Sequence, residues 1–330
     1  MRHFLTAAGI LSASLAAAEG APAKPVLTVY APDYFASDWG PGPQIEADFE
    51  AICGCDLQFS TGDVLGRLRV EGAGTEADAI IGLNTDATAR ARATGLFAPH
   101  GQDTSELTMP VAWEDKLFLP FNWGETAFVY DETRLPNPPA SFEALLDAPE
   151  SLKIVIQDPR SSGSGLALLL WVKAVYGDEA PEVWARLKPK ILTVTKGWSE
   201  SYGMFTAGEA DMVLSYTTSP AYHLIAEEDA TKKAAIFPEG HYFMVELAAQ
   251  LAGTDQPELA QAFMDFILSD SFQSKIATGN WSYPVKLDPA RLPPGFAALP
   301  RPEKTLFYTE TEAEALRAPA LAEWLEVMSQ

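Results

Sequence analysis

Short apolar strands alternate with helical segments along much of the chain, and this alternation constrains the fold more than any other feature. Residues 24–31, 57–60 and 78–83 are rich in apolar and β-branched residues, as buried strands are. Helical spacing of apolar residues follows at 45–51 and again up to Arg69. The pattern predicts an α/β fold with mainly parallel sheets, in which ligand-binding residues follow the carboxyl ends of the strands.

The length predicts two lobes, because 330 residues exceed what one hydrophobic core usually organises. Apolar segments at 117–121 and 126–130, separated by 122–125, are interpreted as two strands that cross between lobes, and 243–251 as the return crossing. We therefore expect lobe 1 at 24–122 plus about 252–330, lobe 2 at 123–251, and hinges near 117–130 and 243–252. A final helix is expected at 310–328, and whether the C-terminal helices reach back to lobe 2 is left open.

The first residues have the pattern of a cleaved secretory signal peptide. Arg2 and His3 precede a short apolar run, which ends in small residues near Ala18. We expect residues 1–18 to be removed, with cleavage as late as residue 23 as the alternative. The mature protein is then exported to the periplasm.

Two cysteines, Cys53 and Cys55, lie on either side of one glycine. An oxidising compartment allows such a pair to form a small disulfide ring, and two free thiols are the alternative. Two thiols alone do not make a structural zinc site, which normally has four ligands.

The net charge excludes some partners. With 23 basic and 45 acidic residues the formal charge is -22, which argues against nucleic acid, since phosphate binding needs a basic face. A negative field attracts a cationic ligand. Acidity is also a common aid to solubility, so this evidence is weak.

Aromatic and hydroxyl residues are concentrated in two segments that the pattern predicts to be loops, 195–198 and 215–222. Trp198, Tyr216 and Tyr222 lie in them, beside small polar residues. Aromatic faces attract cations and stack on flat rings, which favours a flat cationic ligand. The alternative is ordinary packing of these rings at strand ends.

A strand predicted at 154–159 is joined to a very apolar helix by Ser161, Ser162, Gly163, Ser164 and Gly165. Such a junction presents free backbone N–H groups to an anion. It is not a P-loop, because the required lysine and glycine spacing are absent. A small-residue turn that caps a buried helix explains the same residues.

Several longer motifs resemble one known family. They are Lys-Pro-Val-Leu-Thr-Val-Tyr from Lys24, Asp-Trp-Gly-Pro-Gly-Pro from Asp38, Gln-Asp-Pro-Arg from Gln157, Thr-Lys-Gly-Trp-Ser-Glu from Thr195, Leu-Ser-Tyr-Thr-Thr-Ser-Pro-Ala-Tyr-His from Leu214, Glu-Gly-His-Tyr from Glu239 and Thr-Gly-Asn-Trp from Thr278. The chain resembles, from about Lys24 to its end, the periplasmic thiamine-binding proteins of bacterial ABC importers. The resemblance implies a two-lobed clamshell, the type II periplasmic-binding-protein fold.

The resemblance also implies a ligand site between the lobes. Trp198 would stack on the thiamine rings, and Ser162 and Gly163 would hold the hydroxyethyl or phosphate end. The remaining ligand-binding residues that it implies are Thr61, Gly62, Asp63, Tyr216, Thr217, Thr218, Ser219, Pro220, Tyr222 and Trp281. Two departures bear on selectivity: Pro32 stands where relatives carry an aromatic residue, for which Tyr34 would compensate, and Glu125 is a candidate partner for the cation.

In this interpretation the protein is a monomer without cofactor, metal or catalytic residues. It carries thiamine, and in addition thiamine mono- or diphosphate, to an ABC permease and its ATPase. One alternative is a thiaminase-like enzyme of the same fold, which needs a nucleophilic cysteine. Others are carriers of a metal, a sugar or another small cation. His223 is interpreted as a structural histidine, because the histidines lack the spacing of metal ligands.

Overall fold

The computed structural model describes residues 23–329, so the predicted signal peptide at 1–18 lies outside the described residues. The strands are β1 (Val26–Ala31), β2 (Asp56–Thr61), β3 (Ala79–Asn84), β4 (Phe97–Ala98), β5 (Leu119–Asp131), β6 (Ile154–Gln157), β7 (Ile191–Thr195), β8 (Met212–Tyr216), β9 (Lys232–Ala235), β10 (His241–Leu251), β11 (Tyr283–Pro284) and β12 (Thr305–Leu306). The helices are α1 (Gly42–Cys53), α2 (Val64–Glu71), α3 (Thr88–Arg92), α4 (Phe142–Asp147), α5 (Gly163–Tyr176), α6 (Ala180–Leu187), α7 (Trp198–Thr206), α8 (Pro220–Ala226), α9 (Pro257–Ile267), α10 (Asp270–Gly279), α11 (Pro294–Ala297) and α12 (Glu310–Met328). Short 3₁₀ turns cover Gly72–Gly74, Thr85–Ala87, Gly177–Glu179, Lys188–Lys190 and Pro289–Arg291.

The long strands are neighbours in the order β2-β1-β3-β10-β5-β8-β6-β7. Three parallel strands, β2, β1 and β3, form one end, and three more, β8, β6 and β7, form the other. Within residues 23–329, every antiparallel pair involves β5 or β10. The α/β class is as predicted, and the sheet is mixed because both crossing strands run against their neighbours.

β5 is a single strand of 13 residues, so the prediction of two strands separated by residues 122–125 is wrong. Its first half pairs with β10 and β11, and its second half with β8 and β9. Asn122 to Glu125 lie opposite Glu246 to Phe243 of β10. Since that pairing satisfies the backbone groups, the polar residues and the glycine do not interrupt the strand.

Two hydrophobic cores lie at the two ends of this sheet. Trp123 belongs to the core of β1–β3, α1, α9 and α10, whereas Phe128 belongs to the core of β6, α5 and α6. The division between the cores therefore falls within β5. The predicted lobe limits at 122/123 and 251/252, and the hinge motion, stay predictions.

α12 contacts both ends of the molecule. Its Ala313, Ala320 and Trp324 pack in the second core. Its ion pairs join it to α3 through Arg92–Glu310 and Arg90–Glu314, and to α5 through Lys173–Glu323. The last helix thus fastens the second core to the first lobe.

None of the described helices is both long and apolar enough to cross a bilayer.

Cys53 and Cys55 are joined by a disulfide, and no free cysteine occurs among the described residues. Cys53 ends α1 and Cys55 directly precedes β2. Gly54 between them has a φ of 66°, which glycine adopts without strain. The ring fixes the tight turn that leads from α1 into the sheet.

Candidate functional site

Trp198 begins α7, and its indole ring is held from behind. The predicted loop is therefore one residue shorter than expected, because Gly197 already caps the helix. Trp198 Nε1 donates to Ser215 Oγ at 2.8 Å, and the ring stacks on Tyr202 with 4.6 Å between centroids. Trp198 keeps part of its surface exposed. A fixed, partly exposed aromatic face suits a flat ligand.

Tyr202 and His223 continue this stack, and we call Trp198, Tyr202 and His223 the aromatic wall. The ring centroids of Tyr202 and His223 are 5.8 Å apart, and Tyr202 Oη lies 2.9 Å from His223 Nε2. His223 Nδ1 lies 2.6 Å from Glu227 Oε2. Both nitrogens of this buried imidazole have partners inside the protein, in agreement with a structural histidine.

The segment after β8 folds into a tight turn that is tied to the aromatic wall. Ser219 Oγ lies 2.7 Å from Ser215 Oγ, the atom that accepts from Trp198, and Ser219 Oγ also accepts from Tyr216 N at 3.2 Å. Tyr216 is partly exposed. The other predicted residues of the turn are buried: Thr217, Thr218, Ser219 and Pro220. Of the turn residues, Tyr216 is the one that presents its side chain to solvent.

A carboxylate that was not among the predicted site residues lies where the lobes meet. Glu246 of β10 accepts hydrogen bonds from Tyr34 Oη, from Asn122 Nδ2 at 2.5 Å and from Asn280 Nδ2 at 2.6 Å. We call Glu246 with these three donors the carboxylate floor. Glu246 and Tyr34 are partly exposed, so solvent still reaches the carboxylate.

Burial governs the ionisation of the carboxylate floor. It raises the pKa of Glu246, and the hydrogen bonds from its three donors only partly oppose this. Burial, followed by the nearby charge of Glu246, also raises the pKa of Tyr34 and of Tyr216. The charge of Glu246 thus contributes to the raised pKa of Tyr216, which ends β8.

Asp86, on the turn after β3, is a second buried carboxylate. Its Oδ1 accepts from Tyr242 Oη at 2.8 Å, and its Oδ2 has no hydrogen-bond partner among the described residues. Burial raises the pKa of Asp86 to about 6, although Tyr242 and Arg90 oppose the increase. Its charge contributes to the raised pKa of Tyr216, which places Asp86 at the same end of the site.

The N-terminus of α5 reaches the first lobe at the loop predicted to bind an anion. Ser162 caps the helix, and its Oγ lies 2.9 Å from Ser164 Oγ. Gly163 approaches Asn84 so closely that an added Cβ would lie 2.1 Å from Asn84 Nδ2. Asn84 is in turn the β3 partner of Glu246. The predicted cap and the carboxylate floor therefore adjoin.

Tyr222 and Trp281 are in contact with each other, with ring centroids 5.2 Å apart and nearly perpendicular rings. Tyr222 lies on α8, and Trp281 directly follows Asn280 of the floor. Trp281 has a φ of 52°, a left-handed value that bulky residues rarely adopt. Such backbone strain is concentrated at ligand sites. Tyr222 also packs against His223, with 5.0 Å between centroids, so the pair extends the aromatic wall towards Asn280 of the floor.

Thr61, Gly62 and Asp63 lie at the carboxyl end of β2, the sheet edge from which Tyr34 also projects. Gly62 N donates to Ala31 O at 3.0 Å, and Asp63 Oδ1 caps α2 by accepting from Gly66 N. Thr61 and Asp63 are exposed. Of the hydrogen bonds in residues 23–329, none joins these three residues to the floor or the aromatic wall. Their role in ligand binding stays a prediction.

Glu125, the predicted partner for a cation, is buried against other groups. Thr305 Oγ1 and Thr217 Oγ1 lie 3.4 and 3.5 Å from its carboxylate. Burial raises the pKa of Glu125, and the nearby Arg301 opposes this. Glu125 is almost fully buried, whereas Glu246 keeps part of its surface exposed. Glu246 is open, since no lysine, arginine or histidine described in the structure pairs with it.

The sequence contains one signal that points to Glu246. Glu246 is the one charged residue in the predicted crossing 243–251, where its neighbours are apolar. Charged residues are rarely buried without a partner or a function, so an isolated glutamate in such a strand marks a site. The partners Asn122, Asn280 and Asn84 carry no comparable signal, because asparagine is common in loops and at strand ends.

Comparison with known proteins agrees with this geometry. A family model described as "Bacterial extracellular solute-binding protein" matches residues 45–300. The "Thiamine-binding periplasmic protein" of Escherichia coli (strain K12) is 48% identical over 312 residues, covering 93% of this chain and 95% of the relative. The protein of the same name from Brucella abortus is 45% identical over 324 residues, covering 97% of each chain.

Solved structures give the same result. A "Periplasmic thiamin binding protein" superposes with a TM-score of 0.91 at 47% identity, covering 94% of this chain and 98% of that one. Iron-bound HitA from Pseudomonas aeruginosa superposes with a TM-score of 0.75 at 21% identity, covering 92% and 99%, and shows the fold alone. The chain belongs to the bacterial extracellular solute-binding proteins and, within them, to the family of the thiamine-binding periplasmic proteins.

Proposed function

We propose that this protein captures thiamine between its two lobes in the periplasm and delivers it to the permease of an ABC importer, which its ATPase drives. The observation that carries the proposal is a chain of contacts: Tyr222 joins the aromatic wall at His223, Tyr222 packs on Trp281, and Trp281 adjoins Asn280 of the carboxylate floor. Relatives that are 45–48% identical and named as thiamine-binding proteins support it.

The chemistry of thiamine fits these groups one by one. Its aminopyrimidine is a flat ring, which Trp198 and Tyr216 can stack on or contact at an edge. Its thiazolium is a permanent cation, which aromatic faces and carboxylates attract. Its hydroxyethyl tail needs polar donors, which Ser162 and the first N–H groups of α5 supply. A cleft that excludes water strengthens each of these contacts.

The N-terminus of α5 also supports binding of thiamine monophosphate or diphosphate. Ser162 precedes a helix of 14 residues, whose N-terminal N–H groups and dipole favour an anion. Affinities of thiamine and its two phosphates, measured side by side, test this. Weaker binding of both phosphates than of thiamine would limit the ligand to the vitamin itself.

An enzymatic role is less well supported than binding. A thiaminase-like reaction needs a cysteine thiolate, and Cys53 and Cys55 are both engaged in the disulfide. We propose that the protein does not cleave thiamine. Incubation with thiamine and aniline under non-reducing conditions should leave thiamine intact, and its consumption would establish an enzyme instead.

A metal carrier is also less well supported. His223, Glu227 and Asp229 offer ligand atoms within 4.8 Å of one another. However, Lys232 Nζ lies 2.8 Å from the carboxylate of Asp229, and Tyr202 occupies the second nitrogen of His223. The protein's own hydrogen bonds and ion pairs account for this cluster.

Titration calorimetry on the mature protein tests the proposed function. We expect micromolar or tighter binding of thiamine, and no measurable heat with spermidine or maltose. Mass spectrometry of ligand released from the freshly purified protein should identify thiamine or a phosphate of it. Absence of heat with thiamine at micromolar protein would overturn the proposal. Light scattering with and without thiamine should give the mass of a monomer.

A further inference from the structure

Glu246 is the one residue of β10 that is not buried. Its position is fixed on both sides, because it pairs with Asn84 of β3 and with Asn122 of β5 in the two ladders. β10 runs between the two cores, so the exposed part of Glu246 faces the space between the lobes. A carboxylate on such a rigid strand is well placed for ligand recognition.

The partners of Glu246 are all neutral. They are the hydroxyl of Tyr34 and the side-chain amides of Asn122 and Asn280. Within residues 23–329, no nitrogen of a lysine, arginine or histidine comes within 4.0 Å of the carboxylate. A deeply placed charge with only neutral donors is costly for the empty protein.

Glu71 shows what a compensated carboxylate of the same kind looks like. It also accepts from a tyrosine, with Tyr30 Oη at 2.9 Å, but Arg67 lies 3.5 Å from its other oxygen. Tyrosine as a donor is thus common to both sites. The arginine is what Glu246 lacks.

Glu246 also lies near several of the predicted ligand-binding residues. Tyr216 is close enough for the charge of Glu246 to raise its pKa. Asn280 precedes Trp281, and Asn84 meets Gly163 at the start of α5. Trp281 and the start of α5, two of the predicted ligand-binding regions, are therefore one residue away from the immediate neighbours of this carboxylate.

We propose that Glu246 is the counter-charge of the ligand's cationic ring and that it makes the protein select a thiazolium over a neutral ring of the same shape. This inference rests on the proposed function, and it names the residue that sets selectivity. The ligand supplies the cation that the protein itself does not provide, and the negative field of the chain adds to the attraction.

The decisive experiment compares two ligands on two variants. The ligands are thiamine and an analogue in which a neutral thiophene ring replaces the thiazolium. Glu246→Gln keeps the shape and one acceptor oxygen, removes the charge, and replaces the other acceptor oxygen by an NH2 donor. Glu71→Gln is the matched control, since it removes a tyrosine-bound carboxylate outside the site.

We expect Glu246→Gln to raise the Kd of thiamine by about tenfold or more. The Kd of the neutral analogue should change less than about threefold, and Glu71→Gln should change neither. Equal weakening of both ligands would reduce Glu246 to a structural or hydrogen-bonding role and overturn the proposal. A parent protein that binds no thiamine overturns the proposed function and this inference together, whereas a parent that binds and loses no selectivity overturns the inference alone.

Thermal unfolding of the empty protein provides a second measurement. Because burial raises the pKa of Glu246, its charged form disfavours the fold at neutral pH. The stability of Glu246→Gln relative to the parent should therefore increase as pH rises from 5 to 8, whereas the lost acceptor adds a cost that does not change with pH. A stability difference that is independent of pH would show that the buried charge carries no cost and would contradict the proposal.

The pH dependence of selectivity gives a third measurement. The groups that face Glu246 are Tyr34, Asn122, Asn280 and Tyr216, with Asp86 beyond Tyr216. Deprotonation of Glu246 should favour the cationic ligand only. Because Asp86 has a pKa of about 6, the ratio of the two Kd values is measured in the Asp86→Asn variant. There the ratio should increasingly favour thiamine as pH rises from 5 to 8, and a ratio independent of pH would count against the proposal.

Discussion

The aromatic wall and the carboxylate floor are connected through Tyr222, Trp281 and Asn280, but they differ in how their polar atoms are satisfied. In the wall, Trp198 Nε1 is bonded to Ser215, and both nitrogens of His223 have partners. In the floor, Glu246 has neutral donors only, and nearby Asp86 keeps one oxygen without a partner among the described residues. The empty protein completes the wall and leaves the floor uncompensated.

The two regions therefore contribute to binding in different ways: the wall through its fixed shape and the floor through its charge. The wall is held rigid before the ligand arrives, which lowers the entropic cost of stacking. Glu246 of the floor, which is partly buried, and nearby Asp86, which is buried, are carboxylates that a cation would compensate. Part of the binding energy would then come from removing the cost of burying these charges. Stability and affinity should therefore respond in opposite ways to substitutions in the two regions.

The largest effect on stability is expected in the wall. Tyr202→Phe removes the donor to His223 Nε2 and leaves a buried acceptor unsatisfied, so the free energy of unfolding should fall by roughly 2 kcal/mol. Urea unfolding measures this, and thiamine affinity should change less than about threefold. Tyr176→Phe is the control, because its hydroxyl makes only a solvent-exposed bond to Glu143. A loss of affinity without a loss of stability would contradict this account of the wall.

Near the floor, Asp86→Asn should make the empty protein more stable than the parent, by an amount that grows as pH rises. The pKa of Asp86 increases from 3.8 to about 6 on folding. Its contribution to stability is therefore complete below pH 3.8 and lost as pH rises through about 6. Between pH 4.5 and 7.5, the stability of the variant relative to the parent should increase by roughly 2 kcal/mol, measured by urea unfolding at each pH. If the stability difference between variant and parent does not change with pH, the charge of Asp86 carries no cost in the folded protein.

Trp198→Ala tests the stacking face directly. Loss of the ring should weaken thiamine binding by at least about tenfold, or about 1.4 kcal/mol, in titration calorimetry. Circular dichroism should show an unchanged fold. Trp198→Phe should recover part of the affinity, because it keeps an aromatic face and loses only the bond to Ser215. Unchanged affinity in the alanine variant would assign Trp198 to packing.

Thr218 follows Ser215, the hydrogen-bond partner of the wall, in the chain. Like Asp86, it has a buried polar atom without a partner among the described residues, so removing that atom should raise stability and lower affinity. Its buried hydroxyl has no hydrogen-bond partner among residues 23–329. Thr218→Val removes this group at constant shape, so stability should rise by about 1 kcal/mol in urea unfolding. Thiamine affinity should fall by about threefold, because the ligand is then the missing partner. A fall in stability would show that the hydroxyl already has a partner in the folded protein.

Much of the fold was predictable because its elements have strong local signals. The strands β1 and β3 are apolar runs, and α12 begins at the capping box of Thr309 and Glu312. β5 was not predictable in one piece. Its middle, from Asn122 to Glu125, has the composition of a turn and is extended only because β10 pairs with it. Tertiary pairing overrode local propensity there.

The same distinction holds for the site. Trp198 and Tyr216 lie in long motifs and Ser162 follows one, so the sequence alone identified them, and they stay predicted ligand-binding residues. Glu246 and its donors come from four separate parts of the chain, between Tyr34 and Asn280. Only the sheet order that brings β10 beside β3 and β5 makes them neighbours. No local sequence pattern predicts contacts between segments so far apart in the chain.

The position of α12 has a consequence for the order in which the protein is completed. Lys173 and Glu323 are separated by 150 residues, yet they pair across the second core. Contacts of such separation form slowly, because a long loop must close first. The core built from the middle of the chain therefore stays open to water until residues 310–328 are available. Whatever holds the growing or translocating chain must shield that apolar surface until its last helix arrives.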